Sequence, residues 1–342
     1  MVQPEPAGRR RTTRIATLLI TATLASSLAI DGSLRRTSAE LSQTVTAFVE
    51  RAPLPAAAAP YEPRQVATVV GASESDRLHQ DLAAIVSTSG ARVGIALREL
   101  SGRARGSWSL NGGQVFTAAS TYKLPVLMLE AQRIASRQLA AAGRVCFEDE
   151  DWEDGYFGDY TSGDCYSRSQ LAFRVAHFSD NTAAHMLVRD VGGTGALNAF
   201  ARSHGAVRSS FYIPNTTTAD DLAALWLEED LGHAGADAAH GWLYPLLIRT
   251  AYEAGIPRGV PVGATVVHKI GNIDSTVNDA ALVTGPGIRY ILVICTDGLD
   301  SARGYSLIAR ISARVWEYES GRAVQAAFRP AARAAPRVRT GF

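Results

Sequence analysis

The chain is 342 residues long, 46% hydrophobic, and carries a formal net charge of +1 at pH 7. That length can bury the core of one large domain or two smaller ones, and near-neutrality gives no support for nucleic-acid binding. The sequence has neither a zinc-type Cys/His spacing nor a Gly-rich phosphate loop, so no metal or cofactor is expected.

Residues 1–30 read as a targeting segment. Arg9, Arg10, Arg11 and Arg14 precede an apolar stretch over 15–30, shorter than the roughly 20 residues a spanning helix needs. Ser27-Leu28-Ala29 offers small residues for cleavage, so the segment is either a signal peptide or an uncleaved membrane anchor. Both imply an extracytoplasmic protein, secreted or anchored and facing the cell wall. Residues 31–73, with a Pro/Ala-rich run over 52–63, read as a tether.

The folded region is expected over 74–325. Leu78, Leu82, Ile85 and Val86 predict a helix over 74–86. Strands follow at 93–100 and 106–110, joined by a hairpin loop at 101–105. The stretch 120–139 reads as a central apolar helix in which Pro125 is awkward, because a proline past the first turn leaves a carbonyl unpaired. Further helices are predicted at 169–191, 195–204, 216–231 and 243–254. Strands at 265–269, 278–283 and 290–296 precede a closing helix at 303–318. Strands at both ends with helices between them imply a sheet built from both ends of the chain, with a helical insert. Residues 326–342 carry Arg329, Arg333, Arg337 and Arg339 among Ala and Pro and read as a disordered basic tail.

Export permits disulfides. Cys146 and Cys165 flank one loop and are expected to pair; Cys295, in an apolar strand, is expected to be a buried free thiol. The loop between the pair mixes acidic residues, among them Glu148, Asp151, Glu153, Asp154 and Asp159, with Trp152, Tyr156, Phe157 and Tyr160. It reads as a solvated acidic loop pinned by a disulfide. The alternative is a rim to a cleft that selects cationic peptide ends or holds Ca²⁺.

Of the 34 Lys and Arg residues only two are lysines, Lys123 and Lys269. Arginine does not release its proton in a protein, whereas a desolvated lysine does. Lys123 ends Ser120-Thr121-Tyr122-Lys123. Residues three apart share a helix face, so a Ser120 hydroxyl at a helix start lies beside the Lys123 amine. That pairing suits an activated nucleophile. Ser179-Asp180-Asn181 lies between the lysines. By itself it reads as a helix cap; between two lysine motifs it reads as a site element. There Ser179 passes a proton and Asn181 holds a substrate amide. Lys269, in a strand ahead of Gly271 and Asn272, would polarise Ser179 and attract a carboxylate. Gly271 would allow close backbone approach. The N–H groups of Ser120 and Asn272 would form an oxyanion hole. His268 reads as structural.

The order S-x-x-K, S-D-N, K-x-G over 74–318, with Thr216-Thr217-Thr218 and Asn278-Asp279, resembles the class A β-lactamase and related penicillin-binding serine hydrolase family. The resemblance implies an α+β, three-layer α/β/α fold with an antiparallel five-stranded sheet flanked by helices. It also implies an α/β part at 74–117 and 240–325 and an all-α part at 118–239, with the site between them. Ser120, Lys123, Ser179 and Lys269 become catalytic candidates, and Asn181, Gly271 and Asn272 substrate-binding ones. The implied activity is that of a monomeric serine hydrolase forming an acyl-enzyme with a β-lactam or a D-Ala-D-Ala-like amide. A D,D-peptidase acting on peptidoglycan and a non-turnover binding or sensor protein are the alternatives. Two positions depart from the family pattern: no glutamate occurs between Asn181 and Leu227, and Ile270 replaces the hydroxyl residue after the lysine.

Overall fold

The computed structural model describes residues 72–102 and 105–328. The targeting segment, nearly all of the tether, and the basic tail beyond 328 lie outside the described residues. The chain order is α1 (Ala72–Ser87), β1 (Arg92–Glu99), β2 (Ser107–Leu110), β3 (Phe116–Thr117), a 3-10 turn (Ala119–Tyr122) and α2 (Lys123–Ala135). Next come β4 (Arg144–Cys146), β5 (Cys165–Ser167), α3 (Arg168–His177), α4 (Asn181–Asp190), α5 (Gly193–Ser203) and β6 (Thr216–Thr217). The chain continues through α6 (Ala219–Asp230), α7 (Ala236–Leu243), β7 (Thr265–Ile273), β8 (Thr276–Gly285), β9 (Ile288–Asp297) and α8 (Ser301–Phe328). The fold is α+β.

Five antiparallel strands form the main sheet in the order β2-β1-β9-β8-β7, which joins both ends of the folded region. Side chains alternate across a strand. On β9, Tyr290, Leu292 and Ile294 therefore share one face, where they cluster with Leu78 and Leu82 of α1 and Leu307, Ile311 and Val315 of α8. Ile291, Val293 and Cys295 are equally buried on the opposite side, where α6 packs against β1, β8 and β9. Covering both faces is why β9 reads as an unbroken apolar run. Strand β7 is an edge, and the 3-10 turn packs against it.

Helix α2 is the hub of the helical part. Residues 123–131 are all buried, and it contacts α3, α4, α5 and α7. The structure resolves the difficulty at Pro125. The α-helix begins at Lys123 rather than Ser120, so Pro125 falls in the first turn, where backbone N–H groups have no partner to lose.

Two predicted helices differ from the structure. The stretch 169–191 is broken between α3 and α4, because Ser179 adopts a left-handed conformation (φ 57°) and Asp180 caps α4 by accepting from Ala183 N at 2.8 Å. The stretch 243–254 is not a helix. It holds the end of α7 and a 3-10 turn over Tyr244–Leu247. Pro245 has no N–H with which to continue the α-helix. Cys146 and Cys165 are direct partners in the β4–β5 pair and are disulfide-bonded, while Cys295 is free and buried.

Candidate active site

The 3-10 turn carrying Ser120 is held from three directions. Ala118 N–H donates to Asn215 O at 2.9 Å, and Asn215 Nδ2 donates to Ala119 O at 3.0 Å. From β8, the buried Asn278 Nδ2 donates to Thr117 O at 2.8 Å and Ala118 O at 3.2 Å. From β7, Gly271 approaches so closely that a Cβ there would stand 2.6 Å from Ala118 O and 3.1 Å from Ser120 N. Only glycine fits that gap. Ala119, just before Ser120, is itself left-handed (φ 48°). Such backbone persists only where the surroundings over-determine it.

Lys123 Nζ donates to Ser120 Oγ at 2.9 Å, to Ser179 O at 2.7 Å and to Asn181 Oδ1 at 2.6 Å, and lies 3.5 Å from Ser179 Oγ. Lys269 Nζ donates to Ser179 Oγ at 2.9 Å and to Ile270 O at 3.0 Å. The two lysines of the chain thus meet at the Ser179 hydroxyl, although 146 positions separate them in the sequence (269 − 123). Ser120 and Ser179 are half-buried, while both lysines are buried. Burial lowers Lys123 to about 7, against the opposing pull of the Asp180 and Glu153 charges. Burial depresses Lys269 further, helped by the Lys123 charge. The Lys123 charge thus disfavours the charged form of Lys269.

Asp180 fulfils the capping reading of Ser-Asp-Asn. The aspartate is the cap, and it also anchors the acidic loop: Tyr160 Oη donates to Oδ1 at 2.5 Å and Phe157 N to Oδ2 at 2.9 Å. The flanking Ser179 and Asn181 face the lysines. Asn181 Nδ2 donates to Asp154 O at 2.7 Å, which brings that loop to the rim of the site. Four of the loop's acidic residues are matched by side chains of α3 and α4. Asp159 pairs with Arg174, Asp151 and Glu148 with Arg189, and Glu153 with His185. Among the described residues no group of three or more His, Cys, Asp and Glu is placed to hold a metal ion.

Of the remaining predicted residues, Asn272 is exposed and its side chain donates to Ser301 Oγ at 2.9 Å. Ile270 is buried at 5% exposure. His268 points away from the lysines into a buried cluster, with Nδ1 2.9 Å from Asp279 Oδ1 and Nε2 3.2 Å from Glu253 Oε1. Burial opposes its charge, but those carboxylates prevail and raise it to about 9. Sequence reasoning did not single out Asn215 or His185, named Asn278 only as part of the family pattern, and named Glu153 only as one acid of the loop. Each acts through contacts between segments far apart in the chain, and no local pattern marks them.

The model of a family described as the beta-lactamase enzyme family matches residues 77–318. Beta-lactamase Toho-2 from Escherichia coli is 26% identical over 240 residues, covering 66% of this chain and 81% of that protein. A beta-lactamase from Citrobacter koseri is 28% identical over 241 residues, covering 65% and 80%. The solved structure of PBP-A superposes with a TM-score of 0.68 at 26% identity, covering 72% of this chain and 96% of that one. The five-stranded sheet, the helical part and a family match spanning most of the chain agree: this protein belongs to the beta-lactamase enzyme family and is a serine hydrolase of the class A β-lactamase-like type.

Proposed function

We propose that the protein is an exported acyl-transfer enzyme in which Ser120 attacks the carbonyl of a β-lactam or a D-Ala-D-Ala-like amide. The observation that carries this reading is the 2.9 Å contact between Ser120 Oγ and the desolvated Lys123 amine. A neutral Lys123 takes the hydroxyl proton as the Oγ–carbonyl bond forms. Ser179, bonded to both lysines, hands a proton to the leaving nitrogen, and Lys269 resupplies it. A substrate carboxylate beside Lys269 raises the proton affinity that burial has depressed, so an anionic ligand helps to charge its own site. The N–H of Ser120 stands at the start of the 3-10 turn, where it has no partner within the turn. With the N–H of Asn272 it would receive the oxyanion, each donor worth about 3 kcal/mol. Asn181 spends its carbonyl and one amide hydrogen on Lys123 and Asp154 and keeps a second hydrogen for an acyl-side amide. Gly271 admits the substrate backbone along the β7 edge.

A related structure supports the chemistry: a mutant of PBP-A, also 26% identical with a TM-score of 0.68, is described as an acyl-enzyme complex with penicillin-G. Export is supported by the basic–apolar N-terminal pattern and by the disulfide. A slow or non-turning-over trap is the second reading, favoured by the lack of any glutamate between Asn181 and Leu227.

Incubating the protein with a chromogenic β-lactam and, separately, with a D-Ala-D-Ala peptide separates these readings. Steady product from the β-lactam identifies a β-lactamase, and steady release of D-Ala a peptidase. A stable adduct on Ser120 without product identifies a trap. No adduct and no product with either ligand contradicts acyl transfer altogether.

A further inference from the structure

Hydrolysis of an acyl-enzyme needs a base for the attacking water, and residues 181–227 contain no glutamate to supply one. The disulfide-closed loop approaches the same site from another direction. Its segment 153–155 is docked on the turn that carries Ser179. Glu153 N–H donates to Thr182 Oγ1 at 3.1 Å, and that hydroxyl donates back to Glu153 O at 2.8 Å. Asp154 O accepts from Asn181, whose other amide atom bonds Lys123. A Cβ on Gly155 would lie 3.0 Å from Asn181 N and 3.1 Å from Asp180 Oδ2, so glycine permits the approach.

The Glu153 side chain is held by one strong contact, to His185 Nε2 at 2.5 Å, and is 49% exposed, so water reaches it. The His185 ring stands edge-on to Tyr212 at 5.0 Å, and Tyr212 lies 5.5 Å from Tyr122, which shares the 3-10 turn with Ser120. The field agrees with the geometry. Among the influences on the Tyr122 and Tyr212 hydroxyls burial comes first and the Glu153 charge second, and the same charge acts on Lys123.

We propose that Glu153, oriented by His185, is the general base that hydrolyses the acyl-enzyme. The proposal rests on the reading of Ser120 as the acylated residue. In the step, a water oxygen bonds to the acyl carbonyl carbon and its proton passes to the Glu153 carboxylate. The bond from that carbon to Ser120 Oγ breaks, and Oγ takes a proton from the Lys123 ammonium formed during acylation. Glu153 then loses its proton to solvent. Glu153 is the catalytic residue in this scheme, and His185 is a positioning residue.

The test follows intact mass after mixing the full chain with a penicillin, which gives the rate of adduct formation and the rate of adduct loss separately. Glu153→Gln is expected to form the Ser120 adduct within a factor of about three of the native rate. Its adduct should be lost at least about 100-fold more slowly, the lower end of what a general base contributes. Glu153→Asp should recover part of the loss, and Glu150→Gln, on the same loop, should match the native protein. Normal adduct formation in Glu153→Gln also shows that the variant is folded. Adduct loss at the native rate in Glu153→Gln overturns the proposal while leaving acylation of Ser120 intact. A native adduct that never hydrolyses overturns it as well. Failure of the native protein to form any adduct overturns the acyl-enzyme reading, and the role of Glu153 falls with it.

Discussion

Lys123 Nζ and Lys269 Nζ approach the same hydroxyl, that of Ser179, at 3.5 and 2.9 Å. One amine arrives from the buried hub helix and the other from the edge strand of the sheet, so the contact spans the two structural parts of the fold. In the proposed acylation step it would also link the protons, since Lys123 reaches Ser120 Oγ and Lys269 reaches Ser179 Oγ.

A base with a proton affinity near neutrality gives a signed pH dependence. Lys123, lowered to about 7 by burial, would act in the proposed step when neutral. The acylation rate measured by adduct formation should rise with pH through about 7 and level above it. A rate that is flat from pH 5 to 9 would show that another group accepts the Ser120 proton.

Gly271 is the second test. A Cβ there meets Ala118 O at 2.6 Å and Ser120 N at 3.1 Å, both backbone atoms at the start of the turn that carries Ser120. Gly271→Ala should lower acylation by at least tenfold, through displacement of Ser120 or of β7. The overpacking should lower stability by about 1–3 kcal/mol. Native acylation in Gly271→Ala would mean that the close approach does not position the site.

The His268–Asp279 pair should appear in stability rather than in activity. His268 holds its proton to about 9 in the fold, above its ordinary value. The stabilisation is therefore fully present below about 6.5 and is lost as pH rises through about 9, on the order of 3 kcal/mol over that window. Urea midpoints at pH 6 and pH 9.5 should differ accordingly, and Asp279→Asn should flatten the difference. An unchanged pH dependence in Asp279→Asn would remove the pair from the account.

Local chemistry made part of this legible. The spacing of Ser120 and Lys123 needs only one helical turn, and the scarcity of lysine pointed to both amines. The central strands were readable because burial on both faces leaves an apolar run, as in β9. The break at Ser179 was readable only as the capping pattern of Ser-Asp-Asn, because apolar residues continue at helical spacing on both sides and the interruption lies in the φ of one residue. Pro125 looked misplaced until the 3-10 turn moved the helix start to Lys123. The acidic loop read as solvated because composition does not reveal which arginines and histidines fold over it. Glu153 is bonded across 32 positions to His185 (185 − 153), and only the folded chain brings them together.

The most direct measurement is the rate of Ser120 adduct formation in Lys123→Arg beside the native protein, with circular dichroism to confirm that both are folded. Arginine keeps the charge and hydrogen-bonding capacity but does not give up its proton. General-base assistance is worth about 100-fold or more, so a folded Lys123→Arg variant should form no adduct on the timescale on which the native protein is fully acylated. Acylation of that variant at the native rate would contradict the claim that Lys123 accepts the Ser120 proton.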